Sequence, residues 1–358
     1  MKRLFGNFFE DKKVLITGHT GFIGSWLSIM LNELSAKVIG YSLPPYTNKD
    51  NFIVSNLEQK LVHIIGDVRD FNKVKEVFNK YKPDIVFHLA AQPIVRMSYE
   101  IPKDTYDINI GGTVNIFEAF RTLESCKILI NFTTDKIYEN LELDRGYHEK
   151  DRIGGYDPYS SSKACSDLIT SAYRTSFFNN NLNNNSKCVS SVRCGNIIGG
   201  GDWQQDRLIP DCMKAILKNQ EIGLRNPHSV RPWQHVFEPL RGMLMLTIKM
   251  WEENNKFSDA WNFGPLKDVA YSTKDIVEKI ITWFGKGGYK ILMDQSSDEL
   301  HETKQLLLDS TKANKLLGWL PILTIDETID YSCKWYANEK IDYNYNVEQV
   351  NNYVDKCR

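Results

Sequence analysis

Tyr159 and Lys163 are the residues of this chain whose types and spacing point most directly to chemistry, standing four apart in Tyr159-Ser160-Ser161-Ser162-Lys163. Positions i and i+4 of a helix lie on one face, one above the other. A lone phenol titrates at about 10, too high for a base at neutral pH. An ammonium one turn away and the positive end of the helix dipole both favour the phenolate. Such a pair takes a proton from an alcohol or a sugar hydroxyl. The bland alternative is a tyrosine and a lysine on a surface helix, because the spacing alone recurs by chance. Asp157 and Pro158 just before the pair supply a capping carboxylate and a first-turn proline, so a helix is predicted to begin here.

A proton acceptor of this kind works beside a hydride acceptor, and a glycine turn far upstream offers a seat for one. The β-branched run Lys13-Val14-Leu15-Ile16-Thr17 ends in Gly18-His19-Thr20-Gly21-Phe22-Ile23-Gly24, and Ser25–Leu31 follows with helical apolar spacing. Strand, glycine turn and helix in that order make a dinucleotide fingerprint, because backbone must approach a pyrophosphate at a helix N-terminus. The acidic residue expected at the end of the second strand is absent, the chain running Gly40-Tyr41-Ser42-Leu43-Pro44-Pro45. No arginine stands there for a 2′-phosphate, and the balance leans to NAD over NADP. Asp67-Val68 after the third strand is placed to face the adenine; a solvated loop aspartate is the other reading.

Thr133-Thr134-Asp135-Lys136 forms a third cluster, at the carboxyl end of the predicted fifth strand. A hydroxyl here can hold the oxygen that Tyr159 deprotonates. Asp135 and Lys136 add an acid–base pair that simple alcohol oxidation does not need. A salt bridge at a strand end is the alternative.

These groups need a scaffold, and the chain alternates strand and helix in the manner of a doubly wound parallel sheet, an α/β fold of Rossmann type. Strands are predicted at Ala36–Tyr41, Leu61–Val68, Asp84–Ala91, Cys126–Thr133 and Val189–Arg193. Helices are predicted at Phe71–Lys80, Lys103–Leu123 and Tyr159–Phe178. Asn179–Asn185 reads as a polar loop without assigned function. After Gly195 the pattern loosens, with a glycine turn at Ile197–Trp203, a helix over Arg207–Lys218 and a short strand over Arg231–Val236. Less regular segments follow at Ala260–Gly264, Thr273–Phe284 and Thr311–Leu317. We read residues 1–195, with returning segments near 232–265, as a cofactor-binding domain. Residues 196–358 read mainly as a smaller substrate-binding domain over the carboxyl end of the sheet.

Composition sets the outer bounds. The 358 residues suffice for one large or two smaller domains with a real core. Lys+Arg 44 against Asp+Glu 45 leaves no electrostatic footprint for nucleic acid or an anionic membrane. No apolar run is long enough to span a bilayer, and Met1–Asp11 lacks the apolar core of a signal peptide. Seven cysteines without paired metal spacing read as reduced thiols of a cytoplasmic protein, with no metal site expected.

Taken together, the glycine turn, Leu89-Ala90-Ala91-Gln92, Thr134-Asp135-Lys136 and Tyr159-x-x-x-Lys163 resemble the extended short-chain dehydrogenase/reductase family. Within it, Thr134–Asn140, Gly154–Lys163 and Arg231-Pro232-Trp233-Gln234-His235-Val236 resemble the nucleotide-sugar 4,6-dehydratases that act on CDP-glucose. The resemblance runs from the first strand to about Gly264, and Ile23 stands where lysine is expected in close relatives. It implies an internal redox reaction with tightly held NAD: oxidation at C4, loss of water across C5–C6, and hydride return to C6. Tyr159, Lys163 and Thr134 would serve the oxidation, Asp135 the departing 6-hydroxyl and Lys136 the C5 proton. The cofactor contacts implied are Gly18, His19, Gly21, Phe22, Ile23, Gly24, Asp67, Val68, Leu89–Gln92 and Asn109, with Tyr159 and Lys163. For the nucleotide-diphosphate sugar, Arg231 is the foremost phosphate clamp, with Asn196 and Arg207. Trp203 or Trp233 could stack on it, and Arg96, Ser98, Gln234 and His235 join the set. Ser98 could equally start a helix, and each tryptophan could simply be core. A 4-epimerase, or a silent NAD-binding scaffold, is the alternative function. The family also implies a homodimer through Lys103–Leu123 and Tyr159–Phe178.

Overall fold

Apolar runs too hydrophobic for one wet face must be covered on both, and the first half of the chain folds accordingly. The computed structural model describes residues 1–178, 187–265, 270–292 and 304–357. In it β1 (Lys13–Thr17) passes through the glycine turn into α1 (Phe22–Glu33), followed by β2 (Lys37–Ser42) and β3 (Val62–Ile65). Next come α2 (Phe71–Tyr81), β4 (Ile85–His88), the short α3 (Val95–Glu100) and α4 (Gly112–Thr122). Then follow β5 (Ile128–Phe132), α5 (Pro158–Tyr173), β6 (Cys188–Cys194), α6 (Leu208–Leu217), α7 (Phe237–Glu253) and β7 (Ala260–Phe263). The last helices are α8 (Thr273–Phe284), α9 (Thr311–Leu317), α10 (Ile325–Ala337) and α11 (Tyr343–Lys356).

Among the described residues the main sheet has seven strands, all parallel, in the order β7-β6-β5-β4-β1-β2-β3. β4 and β5 are buried along their whole length. The chain leaves β1 toward β2 and re-enters at β4 on the other side, which opens a crevice at the carboxyl ends of these two strands. Thr17 lies opposite His88 there, so Gly18 and Leu89 leave the sheet side by side. On one face Trp26, Phe237, Trp335 and Tyr353 share a core; on the other Val74, Phe117, Phe120 and Phe178 do. α11 closes the first of these against α1. Asn346 Nδ2 donates to Asn51 Oδ1 at 2.7 Å and to Ser55 Oγ at 2.6 Å, and Tyr343 donates its hydroxyl proton to Glu33 at 2.9 Å.

Three predicted elements change form. Lys103–Leu123 is helical almost throughout, from Pro102 to Thr122, but widens into a π turn at Asp107–Gly111 before α4 begins. Arg231–Val236 is not one strand. Val230–Arg231 pairs antiparallel with Tyr271–Ser272, while Gln234–His235 pairs parallel with Ile197–Ile198. Pro232 between them has no N–H for a ladder, which explains the break. Ala260–Phe263 is no stray segment but the seventh strand, running beside β6 with Ala260 opposite Ser191. The polar loop Asn179–Asn185 lies outside the described residues. No helix among the described residues is long and apolar enough to cross a membrane.

Candidate active site

α5 starts where its sequence says it should. The Asp157 carboxylate accepts the N–H of Ser160 at 2.8 Å and its hydroxyl proton at 2.6 Å, and Pro158 takes the first turn. Ser98 adds a second cap from α3, its Oγ accepting the N–H of Tyr159 at 3.1 Å. Ser98 is fully buried in that role, which places it at the start of the catalytic helix and not on the sugar side. Tyr159 and Lys163 are both buried, one turn apart on the inner face. Burial pushes the phenol up to about 12, against the pull of a Thr134 hydrogen bond and the Arg207 charge. Burial brings Lys163 down to about 8, and its Nζ donates to the Phe132 carbonyl at 2.9 Å. The expectation that the helix pair by itself lowers the phenol is therefore corrected: desolvation outweighs it. Lys163 also bears on His88, which burial and the lysine charge hold down to about 3. His88 is thus neutral, bridging Thr17 at 2.7 Å and Thr113 at 3.2 Å.

β5 ends beneath this helix and turns at once into a 3-10 turn, Asp135–Ile137, capped by Thr134. Thr134 Oγ donates to Asp135 Oδ1 at 3.0 Å and accepts the N–H of Lys136 at 3.4 Å. Asp135 is 1% exposed, and its Oδ2 has no partner among the described residues. Burial raises its pKa, opposed chiefly by Lys136, then Thr134 and Arg231. A buried carboxyl held toward its neutral form with one oxygen unpartnered is built to donate a proton. Lys136 is half-buried beside it. Lys136 draws the Asp135 pKa down, as a salt bridge would, and burial raises it by more.

The glycine turn fits a dinucleotide. Gly18 has φ +77, and a Cβ there would meet Ala90 N at 2.8 Å; one on Gly24 would meet Gly18 O at 2.2 Å. Only bare backbone closes this turn. Gly21 caps α1 without any side chain and is exposed, leaving first-turn amides of α1 for an anion. Phe22 is buried and Ile23 half-buried behind it. Leu89 and Ala90 are held by their N–H groups to Thr17 Oγ at 3.2 Å, and with Ala91 they are half-buried at the crevice. Other predicted cofactor residues serve the frame. His19 is buried against Gly40, 2.6 Å from His63, and burial brings it down to about 3. Asp67 is gripped by Arg69 at 2.7 and 3.0 Å, which holds its carboxyl below the usual range. Val68 packs where a Cβ on Gly112 would lie. Asn109, inside the π turn, accepts the N–H of Gln92 at 2.9 Å and donates to Ser162 Oγ at 2.9 Å. The Gln92 side chain bonds Ile94 and Thr105. These two pin the β4 loop to α5.

On the substrate side, the charges acting on Tyr159 and Asp135 place Arg207 near the phenol and Arg231 near the carboxyl. Arg207 is steadied by Asp202 at 2.8 Å, and the buried Arg231 donates to the Val230 carbonyl at 2.9 Å. Asn196 is half-buried in the same region, its carbonyl accepting the N–H of Gln234 at 3.0 Å. Arg96 is half-buried on α3, two residues before Ser98. The remaining predicted contacts are held in the surrounding frame, while Trp203 Nε1, Gln234 Oε1 and His235 Nε2 have no partner among the described residues. Trp203 meets Tyr336 edge-on at 5.2 Å, and Trp233 donates to the Tyr271 carbonyl at 3.1 Å. Gln234 donates to the Phe263 carbonyl at 2.7 Å. His235 is fully buried between Phe237 and Tyr331. Sequence reasoning missed Asp167 and Arg193, a buried pair just behind Thr133. The visible signal was Asp167 one helical turn beyond Lys163 on the same face.

Residues 15–331 match the model of the GDP-mannose 4,6 dehydratase family. The CDP-glucose 4,6-dehydratase of Salmonella typhimurium is 45% identical over 331 residues, 92% of either chain. A dTDP-glucose 4,6-dehydratase of Streptomyces venezuelae solved with NAD shares the fold at a TM-score of 0.78 and 20% identity, covering 92% of this chain and 98% of its own. A UDP-glucose 4-epimerase of Thermus thermophilus, also with NAD, does so at 0.76 and 21%, covering 91% and 99%.

Proposed function

The chain belongs to the GDP-mannose 4,6 dehydratase family, and on that premise we propose that it dehydrates CDP-glucose to the 4-keto-6-deoxy nucleotide sugar with NAD as its cofactor. The observation that carries the reading is the buried Asp135 carboxyl beside Lys136, its Oδ1 held by Thr134 and its Oδ2 without a partner among the described residues, under the helix that bears Tyr159 and Lys163. An epimerase or a plain dehydrogenase has no use for an acid and a base at C5 and C6.

The Gly18–Gly24 turn, the first amides of α1 and the Leu89–Ala91 loop would hold NAD, which would supply a reversible hydride acceptor beside C4 and C6. Tyr159 takes the 4-hydroxyl proton. Its phenol is high in the protein alone, so the Arg207 charge and the Thr134 hydroxyl, both of which pull it down, are part of the base. The new ketone acidifies C5. Lys136 takes the C5 proton, Asp135 protonates the departing 6-hydroxyl so that water leaves, and as hydride reaches C6 the Lys136 ammonium gives a proton back to C5. Arg231, with Arg207 and Asn196, clamps the diphosphate, and Arg96 lies on the sugar side. We assign residues 1–195 with the returning α7 and β7 to the cofactor, and the rest mainly to the nucleotide sugar. The exposed Tyr106, Leu168 and Phe177 lie on the two helical stretches proposed to pair in a homodimer. We place the protein in the cytoplasm, consistent with its free cysteines.

The test is to incubate the purified protein and NAD with CDP-, dTDP-, UDP- and GDP-hexoses and to follow the products by NMR. A 4-keto-6-deoxy product from CDP-glucose is expected. A 4-epimer, or no product from any donor, would refute the reading.

A further inference from the structure

The reaction above demands two sites in register: a base for the C4 hydroxyl on α5, and an acid and a base for C6 and C5 on the Asp135–Ile137 turn. Neighbouring ring carbons leave little slack between them. A buried network ties the turn to the helix at both of its ends. Asp167, one turn beyond Lys163 on α5, is forked by Arg193 of β6, with Nε–Oδ2 at 2.9 Å and Nη2–Oδ1 at 2.7 Å. Thr133, just before the turn, shares its one hydroxyl proton between Asp167 Oδ2 at 3.2 Å and the Val192 carbonyl of β6 at 3.1 Å. Tyr138, just after it, accepts from Arg193 Nη1 at 3.0 Å and donates to Asn262 Oδ1 of β7 at 2.7 Å. The Tyr138 ring stacks on Tyr147 with centroids 5.3 Å apart, and Asn262 Nδ2 donates to the Tyr147 carbonyl at 2.8 Å. The Asp167 and Arg193 side chains are 2% and 4% exposed, so none of these bonds competes with bulk water. The network stops short of Asp135, whose Oδ2 stays without a partner among the described residues.

We propose that Asp167, Arg193, Thr133 and Tyr138 are positioning residues that fix the Asp135–Lys136 turn against the Tyr159–Lys163 helix, so that elimination follows C4 oxidation in one active-site geometry. The inference rests on the dehydratase reading. It concerns how the two halves of the reaction are coupled, since none of the four residues needs to touch substrate.

Removing either partner of the buried ion pair strands a charge and endangers folding. The test therefore cuts the outer links. Tyr138→Phe keeps the ring and its stack but loses both hydroxyl bonds; Thr133→Val keeps the shape and loses the bond to Asp167. Both variants are compared with the parent by single-turnover C4 oxidation, by deuterium uptake at C5, and by amide hydrogen exchange of residues 134–138 and 159–170. C4 oxidation and KM are expected within about threefold of the parent, with elimination slowed at least ~10-fold, the scale of a sub-ångström misplacement. Exchange should quicken in the turn and hold steady in the helix. Should Tyr138→Phe fail to fold, Thr133→Val carries the same comparison. Parallel loss of oxidation and elimination, or lowered melting temperature with neither step changed, would overturn the positioning role. A parent that makes no 4-keto-6-deoxy product would instead overturn the dehydratase reading underneath.

Discussion

Lys136→Met separates the elimination half of the chemistry from the oxidation half. The lysine backbone, not its side chain, holds the 3-10 turn to Thr134, so the turn should survive the change. Methionine keeps the stem and removes the nitrogen, which takes the C5 proton only as the neutral amine. In its charged form that nitrogen is the main force opposing the raised pKa of Asp135, so its loss lets the carboxyl rise further and the acid stays protonated. The defect then falls on the base alone. A positioned base contributes roughly 10²–10⁴ in rate, or about 3–5 kcal/mol on the elimination barrier. Tyr159, Lys163 and Thr134 are untouched, and C4 oxidation should proceed. In stopped-flow single turnover the reduced nicotinamide absorbance should rise as in the parent and then persist. Deuterium uptake at C5, followed by NMR, should fall by the same factor. The alkaline limb that the parent owes to Asp135 ionisation should move to higher pH. Release of 4-keto-6-deoxy product at the parent rate, with normal deuterium uptake, would refute Lys136 as the base and with it the division of labour argued here.

Tyr159→Phe should abolish C4 oxidation while calorimetry finds nucleotide-sugar affinity nearly unchanged; turnover at the parent rate would move the proton acceptor elsewhere. Arg231→Ala should weaken substrate about 10- to 150-fold, since a charged hydrogen bond is worth roughly 1.5–3 kcal/mol; equal affinity by calorimetry would relocate the diphosphate. Lys163→Met should inactivate the enzyme yet stabilise the fold at pH 7. With the lysine brought down to about 8 from 10.5, the unfolded chain binds the extra proton between those values, so parent stability rises with pH across that window. The burial penalty is therefore in full force at pH 7, at about 3 kcal/mol before the lost Phe132 contact is deducted, and urea unfolding at pH 7 and pH 11 should show the variant's advantage shrink at the higher pH.

The fold was legible because its signals are local. β1, the glycine turn and α1 each declare themselves within a few residues, and the uninterrupted apolar runs of β4 and β5 leave a doubly covered parallel sheet as the solution. The Tyr–Lys spacing and the Asp135-Lys136 pair were equally visible, and the family resemblance they supported agrees with the family found. What escaped depends on partners distant in sequence. The π turn at Asp107–Gly111 lets Asn109 bond Gln92 and Ser162, contacts that no periodicity encodes. Ser98 lies far from the helix it caps, and the role became clear only when α3 and α5 met. His19 and His235 sit in functional-looking motifs, but burial holds both neutral inside the core. The phenol pKa went the other way because desolvation, a property of the assembled interior, exceeded the local charge effect.

The closure of α11 over α1 has a consequence for how the protein is made. Glu33, at the end of the helix that follows the dinucleotide turn, and Asn51 and Ser55 beyond it find their partners at Tyr343 and Asn346, 291 to 310 residues later in the chain. Synthesis at ~5–20 residues per second keeps that apolar face of α1 waiting for tens of seconds. β6 waits likewise for β7 to cover its outer edge. The nascent chain spends this interval with the buried face of α1 open to chaperones.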